Sequence, residues 1–341
     1  MLGLALTGNH MFVDRLETPV DAILAAVAHA DEAVAPSLRL SPRVLRVQTE
    51  SFRIGELVCA GEVTAAREAA ADFAARYGDE TGISEANVQL FAMTDALLSG
   101  DWDDWRRRLA RFRDDPELAS GFASHLLGSE MMAAWLKGRL GDSAALIEAL
   151  PSSMMFVRPA LALAHSEGGH PAEARRVMAE CAAEGGLEAR ARTVCGRAEL
   201  ALLAYAAAGI GDVEAAGRIY ELLLSRRGQV AAWAGWAFWG AVDGVLGLLA
   251  ASCGRPDRAV EHLGAALALH DRAGWRAFST MTAAELAAAL LERGRQDDVE
   301  RAASLAAVTE PAARELGLEG VQRRLTAVAA RLDRPGPPAA G

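Results

Sequence analysis

The stretch Asp101-Trp102-Asp103-Asp104 places three carboxyl groups within four residues. A carboxylic acid held in an apolar cavity can deliver its proton to an alkene, which is acid catalysis of the simplest kind. The same residues also suit a helix start. Asp101 follows Gly100, aspartate is a preferred N-cap, and acids in a first turn complement the helix dipole. We give the cap reading precedence. His165 and His170 bracket Ser166-Glu167-Gly168-Gly169. As metal ligands they would need further donors in space, and neither an H-E-x-x-H pattern nor a cysteine pair supplies them, so a hairpin turn carrying two surface histidines is expected. Gly209-Ile210-Gly211 has Glu214 where a dinucleotide-binding loop needs its third glycine, and it reads as a turn. No G-x-S-x-G elbow occurs. The residues thus propose no catalytic set, no metal and no cofactor.

The tryptophans are more suggestive as a binding surface. Trp233, Trp236 and Trp239, with Phe238, follow one another in steps of three. On a helix this spacing draws a drifting stripe along one face. Trp275 is expected to open a helix downstream and to look into the same groove. Aromatic rings lining a groove bind peptides, sugars or flat ligands well, so these four residues form the expected ligand site. A bulky core between helices is the competing use of the same rings.

The elements that must position these residues follow from composition. The 341 residues include 74 alanines and three tyrosines. Alanine is the best helix former, whereas sheets favour β-branched and aromatic residues, so an all-β fold is excluded. No Val/Ile-rich run bounded by turn signals supports a parallel sheet. The net charge of -10 argues against direct nucleic-acid binding. Cys59, Cys181, Cys195 and Cys253 are too sparse for a disulfide scaffold and read as reduced core thiols of a cytoplasmic protein. The start, Met1-Leu2-Gly3-Leu4-Ala5-Leu6, lacks a basic segment and makes a poor signal peptide. Val230–Gly254 is long enough to cross a bilayer, but it carries Asp243 and, within it, Gly235, Gly240, Gly244 and Gly247. A buried helix is expected there, and no membrane span.

Periodicity supplies the organisation. Glycines recur at Gly61, Gly100, Gly141, Gly169, Gly211, Gly254 and Gly294. A glycine can end a helix in the left-handed conformation, and the next residue can cap the following one. Asp101, Asp142 and Asp212 are of capping type, while Pro171 and Pro256 suit a first helical turn. Registering each segment on its glycine puts Ala66, Trp105, Leu146, Ala174, Ala216, Ala259 and Val299 at one position. Four residues on come Ala70, Leu109, Leu150, Met178, Tyr220, Leu263 and Ala303; three further come Phe73, Phe112, Ser153, Cys181, Leu223, Ala266 and Ala306. Offsets of 0, 4 and 7 share one helical face, and the register predicts a succession of helix–turn–helix pairs.

These residues resemble the tetratricopeptide repeat, most clearly in Leu246-Gly247, Gly254, Ala259, Leu263 and Ala266. The repeats run near 40 residues, longer than that family's usual length. In this they are similar to the helical-repeat regions of large bacterial regulators, the ATPases with a LuxR-type DNA-binding end and their nucleotide-cyclase relatives. Arg158–His165, Tyr220–Leu224 and Gly240–Ala251 resemble recurrent helix starts of those regions. The ATPase and DNA-binding modules are not visible: no Gly-Lys pair forms a P-loop, and Arg334–Gly341 reads as a flexible tail. Met1–Gly8 reads as the end of a helix whose beginning is missing, as in a stand-alone gene, a truncated frame or a fragment.

The expectation is an all-α solenoid of antiparallel helical hairpins, a TPR-like right-handed superhelix over residues 41–333. An N-terminal helical segment, 1–40, would precede it and a tail, 334–341, would follow. The function expected is a non-catalytic interaction or sensor module of a bacterial regulatory system, binding a protein segment or small inducer on its concave face. The alternative is an enzyme with an apolar cavity using Asp101–Asp104, a stretch that resembles the D-x-D-D motif of terpene cyclases; the Gln-Trp signatures of those enzymes are absent.

Overall fold

The computed structural model describes residues 42–77, 83–151, 156–183, 186–193, 195–233 and 237–333. The expected segments 1–40 and 334–341, Ser153 and Trp236 lie outside these. The described chain is almost entirely helical. It opens with α1 (Pro42–Cys59) and α2 (Val63–Tyr77), then α3 (Ile83–Ser99) and α4 (Trp102–Asp114). Short α5 (Pro116–Gly121) leads to α6 (Ala123–Leu136). A 3-10 turn, Leu140–Ser143, runs into α7 (Ala144–Glu148). There follow α8 (Val157–Glu167), α9 (Pro171–Ala183), short α10 (Gly186–Ala191), α11 (Gly196–Ile210) and α12 (Val213–Leu223). A two-stranded antiparallel ribbon, β1 (Val230–Trp233) and β2 (Ala237–Ala241), interrupts the helices. The chain continues as α13 (Val242–Ser252), α14 (Pro256–Ala273), α15 (Arg276–Arg293), α16 (Asp298–Glu315) and α17 (Glu319–Leu332). Consecutive helices pack as neighbours, and the first helices of successive hairpins, α8, α11, α13, α15 and α17, also pack on one another.

The glycine punctuation works where the backbone needs it. Gly211 stops α11 at φ 68°, and its successor Asp212 caps α12 by accepting from the Ala215 N–H at 3.0 Å. At the third repeat the stop is Gly138 (φ 70°), not Gly141. Gly141 lies inside the 3-10 turn, where a Cβ would come within 2.7 Å of the Gly168 backbone nitrogen. The slip has a visible cost to the register: Leu146, expected in the core, is 63 % exposed. Val299 is also exposed, although Gly294 does stop α15, because α16 begins only at Asp298; Ala302 and Ala313 fill its core side instead. In the segments that follow Gly61, Gly100, Gly169, Gly211 and Gly254, all three registered positions are buried.

The single helix expected over 230–254 is a correction. The ribbon occupies its first half and α13 only its second. Gly240 explains the break, because its φ of 85° belongs to no helix and a Cβ there would meet the Phe278 ring at 2.7 Å. Both faces of β2 are covered, so every residue of it is buried. Phe238 stacks on Trp275 on one side at 6.1 Å, while Trp239 packs on Trp135 on the other at 5.3 Å. Alternation sends neighbouring side chains to opposite faces, and each face finds a helix. Among the described residues, no helix is long and apolar enough to cross a membrane.

The N-terminal hairpins return onto the C-terminal helices. The Trp102 Nε1–H donates to the Leu316 carbonyl at 3.0 Å. Leu316 also fills the space beside Gly100 that a Cβ would occupy. Gly138 abuts Gly320 at the start of α17, leaving 2.7 Å between a hypothetical Cβ and the Gly320 nitrogen, and Arg139 pairs with Glu319. A seam between α4–α6 and α16–α17 thus joins residues remote in sequence.

Candidate functional site

A cavity lined by helices from several hairpins sits behind this seam. It measures about 520 Å³, inside the usual range for small-molecule sites. Its wall comes from α8, α11, α13, α14, α15 and α17, with α6 facing them. Helix α6 reaches across because Trp135 touches three elements at once. Its ring lies 4.6 Å from Tyr205 on α11, 5.8 Å from Phe278 on α15 and 5.3 Å from Trp239 on β2. Leu163, Leu248, Leu263 and Met281 complete an apolar surface.

The polar groups of the wall are committed to the protein. The Tyr205 hydroxyl donates to the Trp239 carbonyl at 2.9 Å, and burial raises its pKa, so it stays protonated. Ser166 donates to the Ala206 carbonyl at 3.2 Å. His270 accepts the Ala241 N–H on Nε2 at 2.9 Å, which leaves the proton on Nδ1 to be donated to Thr282 Oγ1 at 3.1 Å. Burial pushes His270 down to about 3, so the ring is neutral. It is a pin between the end of β2, α14 and α15.

Charge gathers at the exposed rim. Glu285 accepts from Arg324 Nε at 2.9 Å. Glu167, at the end of α8, accepts the Leu140 N–H at 3.1 Å. The residue touches solvent while protein crowds its carboxyl, and the crowding, opposed by those backbone N–H groups and by Arg323, pushes it up to about 7. Arg323 is exposed and donates to the Gly138 carbonyl at a long 3.4 Å.

The sequence-predicted residues fall elsewhere. Trp239 and Trp275 are 3 % and 1 % exposed and sit in the core, so neither presents its ring to an open groove. Trp233 ends β1, paired with Ala237, and Trp236 lies outside the described residues. Trp233 and Trp239 lie on the two strands of the ribbon, so the helical stripe that the spacing of three required does not form. Asp101 accepts the Asp104 N–H at 2.9 Å and caps α4. Asp103 is exposed and pairs with Arg106; Asp104 is held below the usual carboxylate range, first by its hydrogen bond to Arg108. None of the three acids lines this cavity. His165 is buried and His170 exposed, 6.2 Å apart. Among the described residues no group of three or more histidines, cysteines or acids could hold a metal. Cys59, Cys181, Cys195 and Cys253 form no disulfide.

A second polar cluster was not foreseen. Asp243, His262 and Tyr220, all buried, form a chain from α13 through α14 to α12. His262 Nδ1 lies 2.9 Å from Asp243 Oδ1, and the Tyr220 hydroxyl lies 3.2 Å from His262 Nε2. Asp243 also accepts the Gly228 N–H at 2.6 Å and Arg227 Nε at 3.4 Å. Burial acts to raise the Asp243 carboxyl, but His262, the Gly228 N–H and Arg227 outweigh it and hold it below its usual range. The arrangement resembles a proton relay in order only. None of the three lines the cavity behind the seam, and together they link three helices.

The cavity-lining residues Trp135, Tyr205, Glu167 and Arg323 come from four helices with no shared motif. The one usable signal was Arg323-Arg324 on the exposed face of an otherwise amphipathic helix. A scan against protein-family models finds no match, and a search of curated proteins finds none either.

Proposed function

We propose that the chain is a non-catalytic ligand-binding module built as a TPR-like right-handed solenoid of helical hairpins. Its concave side holds a small molecule, and occupancy is reported to a protein partner in a cytoplasmic bacterial regulatory system. The observation that supports this most is the cavity of about 520 Å³ lined by the first helices of five successive hairpins. In a stacked helical array those helices form the concave surface, which such proteins use for binding. The volume favours a small molecule over a protein segment, and the committed polar groups of the wall favour binding over chemistry. Of the expected tryptophans, Trp239 then supports the site from behind, through its contact with Trp135.

The test is a thermal-shift screen of small molecules on the wild-type chain and on Ala327→Phe, which fills the cavity from its exposed side. Ligands should raise the melting temperature of the wild type and not of the filled variant. Equal responses from both, or turnover of a bound compound, would count against the reading.

A further inference from the structure

The cavity divides into an apolar wall and a charged rim, and the division selects a class of ligand. Along the wall, Tyr205, Ser166 and His270 each spend their hydrogens inside the protein, at 2.9 Å, 3.2 Å and 3.1 Å. An apolar body lying there leaves these three donors paired, whereas a ligand polar along its length would lose its water and find them already taken. At the rim the charges are not equally occupied. Arg324 is neutralised by Glu285. Glu319, one helical turn before Arg323, pairs with Arg139 and also lies within electrostatic reach of Arg323. Glu167 is satisfied by the Leu140 N–H. Arg323 keeps a 3.4 Å contact with one carbonyl, so most of its guanidinium fork is available at the cavity mouth. A guanidinium presents parallel N–H groups that match a carboxylate.

We infer that the ligand is a small amphipathic carboxylate, its body among Trp135, Leu163, Leu248 and Met281 and its head on Arg323. This rests on the cavity reading given above. Glu167 shares the mouth and opposes an anion when ionised; its upward shift to about 7 weakens that opposition near neutral pH. The volume of about 520 Å³ is large enough for a medium-chain or single-ring acid.

Octanoate and 1-octanol separate head from body, because they share the chain and differ in charge. Binding is measured by calorimetry on the full chain, with folding of each variant checked by circular dichroism. Octanoate should bind the wild type at least tenfold more tightly than octanol. Arg323→Gln should weaken octanoate by about tenfold, the scale of one charge-assisted hydrogen bond, and leave octanol unchanged. Ala327→Phe should weaken both. Equal binding of the two probes, or octanoate binding indifferent to Arg323→Gln, overturns the carboxylate assignment and leaves the cavity reading standing. Absence of octanoate binding overturns the assignment as well. Two probes that bind no differently to Ala327→Phe than to the wild type overturn the cavity reading itself.

Discussion

His262 Nδ1 stands 2.9 Å from Asp243 Oδ1, and each side chain is almost fully buried. The pair works because the aspartate has further donors, the Gly228 N–H and Arg227, to share its charge. Removing one member of a buried pair leaves the other uncompensated, which typically costs about 3–5 kcal/mol. Asp243→Ala should lose stability on that scale in urea unfolding. Tyr220→Phe, at the far end of the chain of hydrogen bonds, should lose about 1 kcal/mol. A loss at Asp243→Ala no larger than at Tyr220→Phe would show that the pair is not what holds α12, α13 and α14 together.

Two glycines on α13 make a matched comparison. A Cβ at Gly247 would come within 2.5 Å of Leu263 Cγ and 3.1 Å of its backbone nitrogen. At Gly244 the nearest atom is the Ala266 Cβ at 3.5 Å, an ordinary contact. Gly247→Ala should therefore destabilise by about 1–3 kcal/mol through overpacking. Gly244→Ala should be neutral or gain up to about 1 kcal/mol from helix propensity. Melting temperatures moving in the same direction would contradict the packing.

His270 predicts an acid dependence. Its folded pKa, about 3, lies below the ordinary 6.5 because burial disfavours the charged ring. Below pH 6.5 the unfolded chain binds a proton that the native protein refuses. The stabilisation is complete above pH 6.5 and is lost as pH falls toward 3, at up to about 1.4 kcal/mol per pH unit. Unfolding free energies measured between pH 6.5 and 4.5 should show this slope, and His270→Gln should flatten it. Parallel slopes for the two proteins would exclude His270 as the cause.

Trp102 ties α4 to the end of α16 through the Leu316 carbonyl, with Lys137 4.5 Å above its ring. Trp102→Phe deletes the hydrogen bond and most of the cation–π attraction. Hydrogen exchange should then quicken at residues 316–332 and at 100–114, the two sides of the seam, and remain slow in α11 and α13. Uniform acceleration along the chain would mean that the seam has no local stability of its own.

The acids at 101–104 should separate by role. Asp101→Ala removes a cap and should cost about 1 kcal/mol. Asp103→Ala breaks an exposed pair with Arg106 and should change stability by less than about 0.5 kcal/mol. Equal losses in chemical denaturation would refute the cap assignment.

Helical content and hairpin punctuation were legible because they are local. A glycine stop, an aspartate cap and a 0, 4, 7 apolar pattern need no distant partner, and Gly211-Asp212 behaves as its residue types dictate. The ribbon was not legible. The steps of three among Trp233, Trp236 and Trp239 fit a helix, and what decides is Gly240, whose positive φ leaves the helix and whose missing Cβ makes room for the Phe278 ring on another hairpin. Gly141 misled for a related reason: its smallness answers to Gly168 across the interface and not to a helix stop. The cavity was invisible because its defining residues belong to helices distant in sequence.

The seam changes how the protein should lose its structure. Hairpins stacked in a line touch only their neighbours, so their outermost units fray independently and each outer face needs a cap. Here Trp102 and Leu316, 214 residues apart, are in contact, and the early hairpins cover the late ones. Such a closure must wait for a long loop to form, which slows folding. Once made, it converts a row of separable units into one cooperative body, so that damage at either margin is felt at the other.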